Sequence, residues 1–462
     1  MASAAPTPAM HPAEYHDADP VSHGGPASPA KHLSTPSMDV VATTDIAAPD
    51  AAGLERPACF FRRVQWTADG TTLVASTSDN RLSAYVLPED LLDPDGRPRA
   101  LAPQAQLQLP EPFYSAALSP YFSLAEPQTQ LALLACKDHP IQLYHVFSES
   151  QASPPLCSYK LIRHETEEYI CPESILWSWP GTHFLAGSVN RLDYFDITRT
   201  GSDGPTMTIP TIPSKRHLLK GGGVGMKGMV SALSSQHPDE SGASLVAAGT
   251  WSRWMGLYDV TRTKKPVANW SIHGVAKTHF GHDIGGNGIV QTIWSPCGRY
   301  LAINERQANG ILVYDVRGTG QPLNLLVGRA ATTQQRLTCD VFPGSGGSAG
   351  GFELWAGTQT GDVLVYEGVG SRDGVLDKSW DWSAHQSPVG STGVHPTGSV
   401  IATCSGAWTS HADEELSNEL GSTDGSGQPS LASTRITHES SLKVWTLTSN
   451  NSDPSEISSP TA

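Results

Sequence analysis

Three features of the 462-residue sequence predict an all-β fold. A short apolar strand, a Pro or Gly turn, a small-residue strand and a third strand ending on an aromatic recur seven times. Gly (44) and Pro (35) are abundant, and only 16% of residues are charged. A small sheet of this kind cannot bury both faces alone, so its copies must stack. Small sheets that stack around a central axis form a β-propeller, and seven copies predict seven blades.

The copies follow one another along the chain in the order expected of successive blades. The clearest begin at Phe61, Ser174 and Gly288, and looser ones begin near Tyr114, Gly228, Thr338 and Ser387. The closing aromatics are Tyr85, Tyr144, Phe195, Tyr258, Tyr314, Tyr366 and Trp445. Their separations, 51 to 79 residues, exceed the roughly 40–45 of a regular WD40 repeat. The loops between strands and blades must therefore be long.

Two features of the copies are typical of WD40 blades. Asp follows three of the closing aromatics, at Asp196, Asp259 and Asp315, which is the Trp-Asp position of such a blade. His282 and His385 stand where the Gly-His pair of a blade would precede the next inner strand. We expect both histidines to form hydrogen bonds within a blade and fix its tight turn.

The chain divides into a propeller, predicted for residues 36–447, and two tails. Residues 1–35 are acidic and poor in aromatics, so they are predicted to be a disordered tail, as are residues 448–462. The strand-like run at 39–44 is the candidate closing strand of the ring, because an open blade would leave a sheet edge. The polar run 409–431 interrupts blade seven and is predicted to be a disordered insertion.

Charge and cysteine content restrict the compartment and the partners. The net charge is −15, but residues 58–408 carry 30 acidic and 26 basic residues, so the propeller is nearly balanced and can hold a local basic patch. The seven cysteines include no C-x-x-C pair, which argues for a reducing compartment without a zinc site. No signal peptide or membrane-spanning run is present in the sequence, so we expect a soluble intracellular protein.

A glycine-rich run between blades three and four contains a formal G-x-G-x-x-G at Gly223, Gly225 and Gly228. These glycines lead into a strand and not into a helix, so we do not interpret them as a dinucleotide site. The flanking cations Lys215, Arg216, Lys220 and Lys227 suit phosphate oxygens, although a merely solvated basic loop is the simpler interpretation.

Two tryptophans flank an arginine in the blade-four hairpin, at Trp251, Arg253 and Trp254. Packing against the next blade is the simpler interpretation, but such a trio also stacks on unpaired bases. No P-loop, G-x-S-x-G or H-E-x-x-H motif is present, so we expect no enzymatic activity, no metal and no cofactor.

The run from Asp315 to Pro343 resembles the blade-five to blade-six passage of the telomerase Cajal body protein family of WD-repeat proteins. In this chain the shared elements read DVRGTGQPL, GR and TTQQR. Matches at 66–88, 247–260 and 433–445 extend the resemblance over the propeller, and both tails lie outside it. The glycine-rich 221–228 loop and the small-residue hairpin at 303–310 depart from better-known members.

The resemblance implies a non-enzymatic nuclear scaffold that binds small Cajal-body RNAs, and telomerase RNA where that RNA has the right stem-loop. It also implies ribonucleoprotein partners, chaperonin-assisted folding and location in the Cajal body or nucleoplasm, with a cytoplasmic pool also allowed. Neither a membrane nor a small-molecule substrate is expected. More distant fungal-type relatives suggest an alternative, a protein-interaction platform in splicing or G-protein regulation without direct RNA binding.

Within this resemblance, the predicted RNA contacts lie between blades and at the blade-four hairpin. They are Arg329, Arg336, Trp251, Arg253 and Trp254, with Lys215, Arg216 and Lys227 as peripheral phosphate contacts. The predicted structural blade positions are Tyr85, Tyr258, Asp259, Tyr314, Asp315, Trp445, His282 and His385. Arg317 is equally suited to bracing the corner at Asp315 and to contacting RNA.

Overall fold

Seven small antiparallel sheets form a ring, which confirms the seven-bladed WD40-type propeller. The structure is a computed structural model. It describes residues 36–46, 59–93, 98–148, 150, 153–163, 165–201, 203–214, 225–239, 242, 244–344, 351–410, 434–436 and 439–448. Both predicted tails, apart from Thr448, and nearly all of the predicted insertion lie outside these residues.

The strands follow the predicted order, and the first strand of each blade is the innermost. Strand β1 (Ser37–Asp45) precedes the first blade. Blade 1 contains β2 (Phe61–Trp66), β3 (Thr72–Thr77), β4 (Arg81–Val86) and, after the short β5 (Arg99–Ala100) that joins the sheet of blade 7, β6 (Ala105–Gln108). Blade 2 contains β7 (Phe113–Leu118), β8 (Leu131–Cys136), β9 (Ile141–His145) and β10 (Cys157–Tyr159). Blade 3 contains β11 (Ser174–Leu176), β12 (His183–Ser188), β13 (Arg191–Asp196) and β14 (Met207–Pro210).

The second half of the ring repeats this arrangement. Blade 4 contains β15 (Val230–Ser235), β16 (Val246–Thr250), β17 (Trp254–Tyr258) and β18 (Pro266–Ser271). Blade 5 contains β19 (Ile289–Trp294), β20 (Tyr300–Glu305), β21 (Gly310–Asp315) and β22 (Pro322–Val327). Blade 6 contains β23 (Cys339–Phe342), β24 (Phe352–Gly357), β25 (Asp362–Val369) and, after the short β26 (Gly374–Leu376) that joins the sheet of blade 5, β27 (Trp380–Ser383). Blade 7 contains β28 (Val389–Val394), β29 (Val400–Ser405) and, after the separate two-stranded sheet of β30 (Trp408–Ser410) and β31 (Thr434–Ile436), β32 (Ser441–Thr448).

Helices are few in the described part of the chain. One α-helix, α1 (Val275–Phe280), lies between blades 4 and 5, and Gly281 ends it with φ +76°, a left-handed conformation that favours glycine. Two short 3₁₀ helices span Pro127–Thr129 and Val316–Gly318. No helix in the described ranges has the length and apolarity needed to span a membrane.

The ring closes through the first and last strands of the propeller. Strand β1 pairs antiparallel with β32, with Ser37 opposite Thr448 and Asp45 opposite Ser441. The run predicted to close the ring, 39–44, lies within β1. Strand β5 then pairs parallel with the outer side of β1. The sheet of the last blade therefore runs in the order β28, β29, β32, β1 and β5, and β1 covers the edge that β32 would otherwise expose.

The cores lie between neighbouring blades and use the closing aromatics. Tyr85, Tyr258, Tyr314 and Trp445 are all buried near the ends of their third strands. Tyr314 has no exposed surface and packs between blades 4 and 5 with Trp270, whose ring centre is 5.4 Å from its own. The predicted blade register therefore holds at these aromatic positions.

Blade 7 contains the hydrogen-bond network expected of a WD40 blade. The His385 Nε2 lies 2.7 Å from Thr403 Oγ1, which also accepts the indole N–H of Trp445 at 2.8 Å. The His385 Nδ1 contacts Ser441 Oγ at 3.0 Å and Glu439 Oε1 at 3.1 Å. Burial lowers the pKa of His385, against the opposing effect of the Glu439 carboxylate. The network fixes the third strand of this blade against its second.

His282 does not have the role that the sequence suggests. It lies just beyond the C-terminal end of α1, and its side chain is exposed. Its backbone N–H donates to Ala276 O at 3.2 Å, so the main chain ends the helix while the imidazole faces solvent. The prediction fails because a short helix, instead of a tight turn, precedes the inner strand of blade 5.

The Asp residues after the third strands brace local corners. Asp315 accepts the backbone N–H of Arg317 at 3.0 Å and forms ion pairs with Arg317 and Arg299 at 2.8 and 2.9 Å. The hydrogen bonds from Arg317 hold the pKa of the Asp315 carboxyl well below its usual range. Asp259 accepts the Thr261 hydroxyl at 2.7 Å in the equivalent corner. Arg317 thus takes the bracing role.

We predict that replacing Tyr314 by Ala lowers the free energy of unfolding by about 3–5 kcal/mol, because a large, fully buried aromatic is removed. Chemical denaturation followed by intrinsic fluorescence measures the loss. An unchanged midpoint would show that this side chain is not part of an interblade core.

Ring closure predicts different outcomes for two N-terminal truncations. A chain that begins at Pro36 retains β1 and should melt at the wild-type temperature. A chain that begins at Ala47 lacks β1, exposes the edge of β32, and should melt at a lower temperature and aggregate. Differential scanning calorimetry with light scattering makes the comparison, and equal behaviour of both chains would contradict closure through β1.

Candidate nucleic-acid interface

The antiparallel order of each blade sorts the loops onto two faces of the ring. Hairpins between second and third strands lie at the same end as the links from one blade to the next. We call this end the upper face. Loops between first and second, or third and fourth, strands lie on the lower face. Among the described residues predicted to contact RNA, Arg329 and Arg336 lie in a link between blades, and Trp251, Arg253 and Trp254 lie in or beside a hairpin of the upper face.

The central channel opens at the upper face into a cavity of about 580 Å³. Its walls come from the inner strands of blades 1, 2 and 5, from the blade 5 to 6 link and from the blade 7 hairpin. We call the part of this cavity that carries charged and aromatic side chains the channel mouth. It consists of Arg62, Arg63, Tyr114, Arg306, Arg336 and Trp408.

A backbone irregularity brings two adjacent arginines to the channel mouth. Successive residues of a regular strand point to opposite faces. In β2 the pairing register shifts between Phe61 and Arg63, as in a β-bulge, so Arg62 lacks a partner on β3. The same shift occurs in β7 at Tyr114 and in β19 at Val290. All three bulged residues line the cavity.

The link between blades 5 and 6 crosses the upper end of the channel. Gln335 donates its side-chain N–H to Gly406 O of blade 7 at 2.8 Å. Arg336 reaches blade 3 and forms an ion pair with the buried carboxylate of Glu173. Burial and the positive charges of Arg62 and Arg63 lower the pKa of Arg336 to about 10. Three guanidinium groups are therefore close enough to repel one another.

The neighbouring carboxylate of Asp340 interacts electrostatically with Arg63 and raises the pKa of that guanidinium, against the larger effect of desolvation. Its two oxygens accept the backbone N–H groups of Val341 and Val394 at 2.9 and 2.8 Å. Burial raises its pKa to about 6, although these N–H donors and the Arg63 charge oppose the shift. Neither Arg62 nor Arg63 donates a hydrogen bond to any residue within the described ranges. Partial desolvation lowers the pKa of both guanidinium groups, although both residues keep exposed surface in the cavity.

Exposed aromatic rings surround these arginines. Tyr114, Trp251 and Trp408 are 41%, 40% and 49% exposed, which is unusual for such large side chains. The Arg306 guanidinium lies 5.8 Å from the centre of the Trp251 ring. Trp408 packs edge-on against Phe60, with ring centres 5.3 Å apart. Flat rings beside cations are the groups that hold unpaired bases and their phosphates.

Arg329 lies away from the channel mouth. It is buried, and its guanidinium donates to Gly357 O at 2.9 Å, Asn304 Oδ1 at 2.6 Å and Leu337 O at 2.9 Å. It ties the blade 5 to 6 link to the second strands of both blades. The expectation that Arg329 holds RNA is therefore replaced by a positioning role, whereas Arg336 does line the cavity.

The three predicted residues Trp251, Arg253 and Trp254 differ in how far their side chains are buried. Arg253 forms an ion pair with Glu305 of blade 5 at 2.6 Å and donates one hydrogen bond to it at 2.9 Å, and only 16% of its side chain is exposed. Trp254 is half-buried and packs in the core between blades 3 and 4. Trp251 alone of the three has an exposed ring, so Arg253 and Trp254 stabilise the hairpin that presents it.

The basic loop is only partly described. Lys227 is exposed on the upper face, where its carbonyl accepts the Ser252 hydroxyl beside Trp251. Lys215 and Arg216 lie outside the described residues. Five channel-mouth residues, Arg62, Arg63, Tyr114, Arg306 and Trp408, were not predicted. The doubled arginine of FRRVQW was the available signal, because the matching bulged positions of β7 and β19 carry uncharged residues.

Comparison with known proteins finds relatives that match most of the chain. No protein-family model matches the chain. It is 27% identical to guanine nucleotide-binding protein negative regulator 1 of Schizosaccharomyces pombe over 65% of this chain and 71% of that protein. It is 28% identical to protein SWT21 of Zygosaccharomyces rouxii over 70% of each chain. It is 24% identical to human telomerase Cajal body protein 1 over 84% of this chain and 64% of that protein.

The raised pKa of Asp340 predicts a stability change with pH. Because its folded pKa of about 6 exceeds the ordinary value of 3.8, folding takes up a proton between these values. Protonated Asp340 therefore adds up to about 3 kcal/mol to the free energy of unfolding below about pH 4. This contribution is lost as the pH rises through 6. Denaturant unfolding of wild type and Asp340→Asn at pH 4.5 and 7.5 measures the difference. The same pH dependence in both proteins would contradict the assignment.

Proposed function

The chain belongs to the telomerase Cajal body protein family of WD-repeat proteins, and we propose that it is a non-enzymatic scaffold that binds small nuclear RNA at the channel mouth. The observation that carries the proposal is the joint exposure of aromatic rings and guanidinium groups around one cavity on the upper face. The RNA belongs to the small Cajal-body type, with telomerase RNA as a further candidate.

The chemistry of the channel mouth favours single-stranded RNA over duplex. Sequence-specific RNA binding proteins read unpaired loop bases, which stack on aromatic rings or arginine planes while cations hold phosphates. Trp251 and Trp408 offer exposed rings, and Arg306 and Arg336 lie beside them. A recessed cavity admits a loop but not the broad surface of a helix.

The positive charge of the channel mouth also favours an anionic ligand, although the whole chain has a net charge of −15. Four arginines line the channel mouth, against the carboxylates of Glu173 and Asp340. Long-range repulsion from acidic segments is screened within about 10 Å at 0.1 M salt. Binding is therefore governed by the groups that touch the ligand.

The proposal places the protein in the nucleus, in the Cajal body or nucleoplasm, together with ribonucleoprotein partners. A chaperonin assists its folding, which is in keeping with ring closure between strands almost 400 residues apart. The second candidate function is a protein-interaction platform without RNA. The relative named as a negative regulator of a guanine nucleotide-binding protein favours it, with a G-protein subunit or acidic peptide on the same face.

A paired set of variants tests the proposal. Trp251→Ala combined with Arg306→Glu removes one stacking platform and reverses one charge at the channel mouth. We expect at least a tenfold loss of affinity for small Cajal-body RNA and a shallower salt dependence, since each lost phosphate contact removes about 0.7 from the slope for single strands. Native immunoprecipitation with RNA sequencing identifies the RNA, and filter binding at several salt concentrations measures affinity.

The matched control also removes one tryptophan ring and reverses one positive charge, but on the lower face, where Trp179 is 50% exposed and Lys265 is exposed. Trp179→Ala combined with Lys265→Glu should bind RNA as wild type does. Equal loss in both variants would indicate a nonspecific effect. Retrieval of proteins but no RNA by the wild-type chain would favour the interaction platform instead.

A further inference from the structure

The lower face carries a group of exposed apolar side chains on neighbouring loops of blades 2 and 3. Tyr121 and Leu124 lie in the loop 119–130 between β7 and β8. Trp179 lies in the loop 177–182 between β11 and β12. The three residues are 48%, 36% and 50% exposed, in that order, and we call them the lower patch. Large apolar side chains gathered on a protein surface mark a site where another molecule binds.

The two loops touch each other, so the lower patch is continuous. A side chain at position 181 would crowd the neighbouring loop, because a Cβ on Gly181 would lie 3.2 Å from Cε2 of Tyr121. Gly181 also has φ +78°, a left-handed conformation that favours glycine. The missing side chain therefore lets the Tyr121 ring lie against the backbone two residues from Trp179.

Hydrogen bonds hold both loops in place. The backbone N–H of Leu124 donates to Asp69 Oδ2 of blade 1 at 2.7 Å, and the buried side chain of Gln130 donates to Leu124 O at 2.9 Å. In blade 3 the indole N–H of Trp177 donates to Gly181 O at 2.8 Å. A backbone held in this way keeps the apolar side chains in position before any partner arrives, which lowers the entropy lost on binding.

The charge beside the lower patch is negative. Asp69 lies in the loop 67–71 between β2 and β3, and Glu126 is exposed in the loop 119–130. Partial burial raises the pKa of Asp69, but hydrogen bonds from neighbouring hydroxyl and backbone N–H groups together outweigh it and lower the pKa. All residues of these two loops and of 177–182 are described, and none is lysine or arginine. The lower patch therefore favours a cationic partner, whereas the channel mouth favours an anionic one.

The tails of this chain do not have the charge required of that partner. Residues 1–35 contain three acidic residues and one lysine, and residues 448–462 contain two acidic residues and neither lysine nor arginine. Repulsion from the carboxylates beside the lower patch would oppose the docking of either tail. The partner is therefore another protein.

The extent of the lower patch indicates a short segment of that protein. Three partly exposed side chains fall well short of the roughly 800 Å² that each partner buries in a standard interface. Tryptophan, tyrosine and arginine contribute most of the binding energy where contact areas are small. The flat, charged guanidinium of an arginine can stack on an aromatic ring and pair with a carboxylate.

We propose that the lower patch binds a short, extended segment of a partner protein in which arginines flank one apolar residue. The apolar residue packs on Tyr121, Leu124 and Trp179, and the arginines lie beside the carboxylates of Asp69 and Glu126. The channel mouth is on the opposite face of the ring, so this interaction does not depend on the proposed binding of RNA.

Fluorescence anisotropy with the full-length protein and three labelled peptides tests the proposal. In the first peptide arginines flank a central tryptophan, in the second serine replaces the tryptophan, and in the third glutamines replace the arginines. We expect the first peptide to bind at least tenfold more tightly than the other two and to lose affinity as the salt concentration rises. Equal binding of the first and second peptides, or of the first and third, would overturn the proposal.

Variants of the exposed residues locate the binding site. Trp179→Ser, and separately Glu126→Lys, should weaken binding of the first peptide at least fivefold and leave the melting temperature unchanged, because both side chains are exposed. The controls Val267→Ser in blade 4 and Asp373→Lys in blade 6 make the same kinds of change at exposed positions away from the lower patch. They should bind the peptide as wild type does. Equal affinity in all four variants would contradict the assignment.

Two further measurements separate this inference from the proposed function and from self-association. If wild type binds the first peptide but retrieves no RNA, the lower patch stands and the proposed function fails. If Trp179→Ser loses RNA as well as peptide, the lower patch is not a separate site and the inference fails. Sedimentation velocity that shows a wild-type dimer, absent in Trp179→Ser, would assign the lower patch to a second copy of this chain instead.

Discussion

Closure of the ring by β1 and β32 is the constraint on which the other features depend. Each blade is a small sheet whose faces are buried only against its two neighbours, so an open ring would leave the core beside Trp445 and Ala42 without a partner. The pairing joins residues 37–45 to residues 441–448, at the opposite ends of the propeller. Nearly the whole chain must therefore be in place before the last edge is covered, which makes closure both late and decisive.

Closure also creates the channel mouth. Seven inner strands surround one axis, and their bulges turn certain side chains into the channel where a regular strand would bury or pair them. At most of these positions the side chain is small or apolar. Blade 1 places Arg62 there, with Arg63 beside it, and blade 2 places Tyr114. The functional surface thus depends on a repeated backbone feature that carries different residues in different blades.

The fold was predictable because it depends on repeated, buried residues. The closing aromatics mark each third strand, and their burial at Tyr85, Tyr258, Tyr314 and Trp445 follows from strand periodicity alone. His282 shows that a local sequence pattern does not by itself predict the role of a histidine. It shares a Gly-His setting with many blades, but a six-residue helix intervenes, whereas His385 keeps its partners Thr403 and Trp445. Only the tertiary arrangement distinguishes these two histidines.

Arginines were harder to assign, because their role depends on the acceptors that the fold brings to them. Arg329 stands in the stretch where family resemblance is strongest, yet three acceptors from distant parts of the chain bury it. Arg63 donates no hydrogen bond to a described residue, but it is exposed in the cavity, where its charge lies near that of Arg336. A buried arginine with satisfied hydrogen bonds contributes to stability, whereas an exposed one keeps its donors free for solvent or a ligand. This contrast in burial and hydrogen bonding, more than resemblance, locates the part of the propeller suited to an anion.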